Sequence, residues 1–161
     1  MVVLNAECDH LREGCSSTAP MVRWLRNDLA AHPSRCTLAY FHKPLFSSGY
    51  HGNNPEVRPL WRALYDAHAD VIVNGHDHDY ERFARQTPWG MKSERGIREF
   101  VVGTGGGERR RFGTVKPHSQ VRNAKAYGVL KLRLKPSGYR WRFVHVARKT
   151  FTDTGFNFCR H

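Results

Sequence analysis

Asp70-Val71-Ile72-Val73-Asn74-Gly75-His76-Asp77-His78-Asp79-Tyr80-Glu81-Arg82 is the stretch on which the reading of this chain turns. Asp70 to Val73 reads as a short buried strand, too apolar for a surface turn, and Asn74-Gly75 ends it. His76, Asp77 and His78 then follow in the turn. Two imidazoles at i and i+2 in extended backbone point the same way. Such a pair chelates one metal, gives one ligand to each of two adjacent metals, or is a plain hydrogen-bonded surface pair. Gly75 permits a close backbone approach, and Asp77 or Asp79 is placed to hold a histidine N–H from behind.

Upstream the same arrangement recurs. Residues 36–41, Cys-Thr-Leu-Ala-Tyr-Phe, read as a strand with His42 directly at its end. Each strand follows a helix. The first has Ser17 or Thr18 as cap, Pro20 in its first turn and Val22, Leu25 and Leu29 on one face; His32-Pro33 ends it. The second opens at Pro55, with Leu60, Leu64 and Ala67 on one face. Residues 43–54 form a long polar loop carrying His51. Helix-then-strand units whose strands end in histidines are α/β logic, with reactive groups at strand C-terminal ends. Adjacent strand ends would bring His42, His76 and His78 together.

Downstream, residues 97–102 read as a strand that runs into Gly103-Thr104-Gly105-Gly106-Gly107. This run is not a Walker A loop, since no Lys-Ser/Thr follows, and it lacks the third glycine of Gly-x-Gly-x-x-Gly. It is either a flexible turn or backbone passing close to a bound anion, with Gly105 as the binding candidate. Residues 108–122 read as a basic loop containing Arg109-Arg110-Arg111, a solvated basic face. From 127 to 146 the alternation of Leu130, Leu132 and Leu134, then of Tyr139, Trp141 and Phe143, around Pro136-Ser137-Gly138 defines a C-terminal β-hairpin. The tail 147–161 reads as extended.

The chain has 161 residues, which fits a single domain, 1–161, with 40% hydrophobic and 25% charged residues. No apolar run approaches the roughly 20 residues of a membrane span. The first residues lack the pattern of a signal peptide. A net charge of +12 favours anionic partners, nucleic acid among them. The four cysteines, Cys8, Cys15, Cys36 and Cys159, form no Cys-x-x-Cys pair and allow three disulfide pairings. Cys8–Cys15, around a short polar loop, and Cys36–Cys159, tethering the tail, are favoured over four buried free thiols. Disulfides imply an oxidising compartment.

Taken together, Phe41-His42-Lys43-Pro44 with Ser47-Ser48-Gly49, Asn74 to Arg82, and Val101-Val102-Gly103-Thr104-Gly105-Gly106 resemble the C-terminal half of a calcineurin-like metallophosphoesterase. The Gly-His-x-His-x-Tyr-Glu-Arg form is that of the purple acid phosphatase branch and its secreted bacterial relatives. The resemblance implies an α/β fold: a partial β-sandwich flanked by helices. It implies His42 and His76 on a second, divalent metal, His78 on a first metal, and His51 as the phosphate-contacting, catalytic histidine. The metals implied are Zn, Fe or Mn, the reaction is attack of a metal-activated hydroxide on a phosphoester, and the parent protein is extracellular or periplasmic. The family's Asp-x-His motif, bridging Asp and Asn-His pair have no counterpart here. The site is therefore expected to be incomplete, and the isolated chain weakly active or inactive. Three readings follow: a phosphoesterase portion completed by another chain or by self-association, a metal- or phosphate-binding module without turnover, and a basic nucleic-acid binder. The hairpin faces and buried strands lead us to expect an apolar sheet face left uncovered.

Overall fold

The computed structural model describes residues 1–146 and 150–159. Its centre is a six-stranded mixed sheet in the order β1-β2-β3-β5-β4-β6. The strands are β1 (Val2–Val3), β2 (Leu38–Tyr40), β3 (Val71–Asn74), β4 (Tyr80–Phe83), β5 (Arg98–Val102) and β6 (Ser119–Asn123). β1, β2, β3 and β5 run parallel, while β4 lies antiparallel between β5 and β6. Two helices, α1 (Pro20–Ala31) and α2 (Arg58–Asp66), supply the crossovers. A second sheet of three antiparallel strands follows: β7 (Gly128–Lys135), β8 (Gly138–His145) and β9 (Thr154–Phe158).

Strand alternation builds both cores, because successive side chains point to opposite faces. Ala39, Ile72 and Val101 face Val22, Leu25, Leu60, Trp61 and Leu64 of the helices. Their neighbours Leu38, Val71 and Phe100 face Tyr139, Trp141 and Phe143 of the second sheet. The layers are therefore helix, sheet, sheet, an α/β sandwich with its helices on one side.

Several expectations are corrected. The α1 cap is Ala19, with no side-chain bond. Ser16 and Thr18 hydrogen-bond each other instead, and Pro20 at the first turn removes one N–H that a cap would have served. Two strands escaped the periodicity, β4 and β6, because their polar residues are internally paired: Glu81 accepts from Ser48 and Ser119, and Arg82 pairs with Asp153 at 2.7 Å. The tail folds back as β9 on β8, turning the hairpin into a three-stranded sheet; of the tail, residues 147–149 and 160–161 lie outside the described residues. Its anchor is Asp153, whose Oδ2 accepts from Tyr80 Oη, Arg82 Nε and Trp141 Nε1. The uncovered apolar face is also corrected: Tyr139, Trp141 and Phe143 are buried against the chain's own first sheet. What stays open is an apolar groove lined by Leu4, Leu38, Tyr40, Val73, Val102 and Leu132, with His42 and Gly75 on its wall. Both cysteine pairs are disulfides, Cys8–Cys15 and Cys36–Cys159.

Candidate metal and phosphate site

Parallel strands place their outgoing loops on one edge of the sheet, so β2 and β3, being neighbours, deliver His42 and His76 side by side. Gly75 N–H donates to the His42 carbonyl at 3.0 Å, which extends the pairing past the strand ends. β5 delivers the glycine run to the same edge, and antiparallel β4 starts there, with Tyr80 opposite Val102.

His76 adopts a left-handed φ of +65°, so the His76–His78 stretch is not extended, and the expectation that both imidazoles point one way for that reason is corrected. His76 Nδ1 lies 3.2 Å from His42 Nε2. His51 joins this pair, its ring centroid 4.4 Å from that of His76. His78 turns instead to the next loop and donates from Nδ1 to the Glu108 carbonyl at 2.6 Å. That bond fixes its tautomer and leaves Nε2 as a lone pair, the arrangement ligating histidines use. Gly105 lines a separate shallow cleft with Thr104, Gly106, Tyr127, Gly128, Val129 and Val146, whose lining holds no imidazole.

Buried carboxylates hold the 41–54 loop from beneath. Asp77 Oδ1 accepts the His51 backbone N–H at 2.8 Å, and Oδ2 accepts the Ser47 hydroxyl. Glu81 accepts Ser48 N–H at 2.7 Å and its hydroxyl at 2.6 Å. Glu99 Oε1 accepts Leu45 N–H at 3.0 Å and Phe46 N–H at 3.4 Å. Asp77 therefore positions a backbone and not an imidazole N–H. Asp79 positions neither: both its oxygens are buried without a hydrogen-bond partner among the described residues. Burial, with the charges of Asp77 and Glu81 beside it, pushes its carboxyl up to about 8. The tight glycines are not Gly75, where a Cβ would make ordinary contact with His42. Tight ones at this edge include Gly49, where a Cβ would meet the Asp77 carboxyl carbon at 2.3 Å, Gly103, where it would meet the Asp77 carbonyl, and Gly107, where it would meet the His78 ring at 2.7 Å.

The donor chemistry fits a metal at the His42–His76 pair. Two imidazole nitrogens on one tetrahedral ion at about 2.0–2.1 Å sit about 3.3 Å apart, close to the 3.2 Å found here. Burial first, then the neighbouring His51 and His42, lowers the His76 pKa and favours the neutral, ligating imidazole. The set is a partial one, since the Asp77 oxygens are engaged in the loop. Among the described residues, Cys36, Asp70 and Cys159 also gather potential ligand atoms within 4.8 Å. Their sulfurs are joined in a disulfide and offer no thiolate, so that group is not a metal site.

The fold is of the metallophosphoesterase type, with a purple-acid-phosphatase-like architecture. The family model of the calcineurin-like phosphoesterases matches residues 5–80, a span that includes His42, His51, His76 and His78. Among solved structures, GAP50, the anchor in the inner membrane complex of Plasmodium, superposes with a TM-score of 0.77 at 16% identity, over 99% of this chain and 49% of its own. The purple acid phosphatase PPD1 from yellow lupin seeds gives 0.74 at 16% identity, over 94% of this chain and 30% of its own. PhoD gives 0.56 at 13% identity, over 87% and 31%. The chain thus spans half or less of the length of each. No curated protein matches it.

Tyr50 and Arg110 also stand at the site and were not legible in the sequence. Arg110 Nη1 lies 3.2 Å from His51 Nε2, and its guanidinium sits 4.7 Å from the Tyr50 ring centroid. An arginine run gives no sign of which member folds back onto a distant loop.

Proposed function

We propose that this chain is the histidine-bearing portion of a metal-dependent phosphoester hydrolase, weakly active or inactive by itself. The observation that carries the reading is the convergence of His42 Nε2 and His76 Nδ1 at ligand–ligand distance. In this reading His42 and His76 hold a Zn, Fe or Mn ion, and His78, with its tautomer set by Glu108, offers Nε2 to a second. A bound metal supplies Lewis-acid stabilisation of the charge that builds on the phosphoryl group. His51, held through its own backbone by Asp77, faces the phosphoester and contacts its oxygens. Residues 1–161 then act as one domain whose remaining ligands, carboxylates above all, come from a further segment or chain. The apolar groove beside His42 is the seat that reading assigns to it. The two disulfides support an extracellular or periplasmic setting. No helix among the described residues is long and apolar enough to cross a membrane.

A second reading, a metal- or phosphate-binding module without turnover, is favoured by the engaged Asp77 oxygens, which are held by the loop and not offered to a metal. The likeness to a protein described as an anchor supports it as well. Hydrolysis of p-nitrophenyl phosphate by the Zn²⁺-, Fe- or Mn-loaded chain tests the two. Metal-dependent turnover, however slow, that is lost in His76→Ala supports the hydrolase; stoichiometric metal with no turnover makes the chain on its own a binding module.

A further inference from the structure

We propose that Arg110 is a substrate-contacting residue that grips two non-bridging oxygens of the phosphoryl group, with Tyr50 as its positioning residue. This rests on the reading of the His42–His51–His76 cluster as a phosphoester site. The neighbouring arginines of the run are otherwise disposed: Arg109 stacks 4.2 Å from the Tyr127 centroid and reaches the Lys125 carbonyl, and Arg111 is exposed. Arg82 has Asp153, and Arg98 has the Phe83 carbonyl and Gln120. Arg110 is half-buried, and no carboxylate among the described residues pairs with it. A guanidinium carries five N–H donors in a fixed planar fork. One of these faces His51 Nε2, and no hydrogen bond among the described residues takes up the rest.

The surroundings are built for an anion. Imidazoles of His51, His76 and His42 follow one another beyond the guanidinium. Asp77, the acid beneath the His51 loop, turns both oxygens away into Ser47 and the His51 backbone. The guanidinium is also delivered by an anchored segment. Residue 108 is held through its carbonyl by His78, Gly113 N–H donates to the Ser48 carbonyl at 2.8 Å, and Lys116 N–H donates to the Ser48 hydroxyl at 2.9 Å. Arg110 lies between these anchors, as a strap across the histidine loop. Tyr50 is 68% exposed, so its ring serves the guanidinium plane and not the core. Stacking holds the plane and leaves the fork's edge for a tetrahedral oxyanion, the geometry in which arginine binds phosphate bidentately.

The test is inorganic phosphate binding by calorimetry, on metal-free and Zn²⁺-loaded protein, in the unaltered chain and in Arg110→Ala, Arg110→Lys, Tyr50→Phe, Tyr50→Ala and Arg111→Ala. Loss of a charge-assisted pair predicts about 10- to 100-fold weaker phosphate binding in Arg110→Ala, with Zn²⁺ affinity unchanged. Arg110→Lys keeps the charge and falls between; Tyr50→Phe keeps the stack and binds as the parent does; Tyr50→Ala weakens binding several-fold; Arg111→Ala stays within about twofold. Equal phosphate affinity in Arg110→Ala and the parent overturns the proposal, as does a parent chain that binds no phosphate. A parallel Zn²⁺ titration separates the two failures: Zn²⁺ bound without an Arg110 effect leaves the metal site standing, and no Zn²⁺ bound removes it.

Discussion

Replacing Glu99 by Gln isolates the cost of a buried acid. Glu99 lies in the middle of the first sheet, one oxygen taken by two loop amides and the other without a hydrogen-bond partner among the described residues. Burial pushes its carboxyl well above the ordinary 4.5. The folded state therefore holds a proton that the unfolded chain releases. The resulting stability is fully present below the unfolded pKa and declines as pH rises toward the folded one, by about 1.4 kcal/mol per pH unit inside that window. Glu99→Gln keeps an oxygen for Leu45 and Phe46 and removes this slope. Melting temperatures at pH 4 and pH 8 should show the variant gaining on the parent as pH rises; parallel curves would contradict the assignment. Asp77→Ala, in contrast, orphans the Ser47 hydroxyl and the His51 amide. It should lower stability by about 1–3 kcal/mol and metal or phosphate affinity about 10- to 100-fold, read by urea denaturation and calorimetry. His42 and His76 were legible because the hydrophobic pattern marks the strand ends that carry them, whereas the role expected of His51 came from the family resemblance alone. The roles of the carboxylates under the loop were not legible: Asp77 read as a partner for an imidazole, and nothing in the local pattern of Glu81 or Glu99 shows that each takes backbone N–H groups of the 41–54 loop. Arg110 was hidden for the same reason, since long-range anchors on Ser48 and His78 bring its strap to His51.

Among the elements, β9 depends on links that local sequence does not announce. Its docking rests on Asp153, on pairing with β8 and on Cys36–Cys159, which spans 123 residues. Cys36→Ser with Cys159→Ser should cost about 2–5 kcal/mol. Limited proteolysis of the oxidised and the reduced chain should show cleavage within 150–159 only after reduction; equal resistance would mean that Asp153 and β8 suffice. Trp141 is the central contact between the sheets, with Arg82 and Arg98 each 5.2 Å from its centroid and Phe100 edge-on. Trp141→Ala should cost about 3–5 kcal/mol, measured by denaturant unfolding. The hairpin and the buried parallel strands were readable because alternation and apolar runs are strong local signals. β4 was not, because paired Glu81 and Arg82 stand where apolar residues would have marked a strand, and β6, Ser119–Asn123, carries one apolar residue, Val121.

At the scale of the molecule, the fold gathers three loops at one sheet edge: 43–54 after β2, 75–79 after β3 and 103–118 after β5. The second sheet covers the opposite face of the first and leaves the groove next to His42 as the open apolar seam. Metal binding bears most directly on the whole account, because it asks whether the edge works as a centre and not merely as a set of loops. The measurement is an equilibrium titration of Zn²⁺ against a chromogenic chelator, on the oxidised chain and on His42→Ala with His76→Ala. The account predicts stoichiometric Zn²⁺ in the parent chain and loss of that site in the double variant, with the melting temperature of the metal-free protein little changed. Equal Zn²⁺ binding by both, or none by the parent, would contradict it.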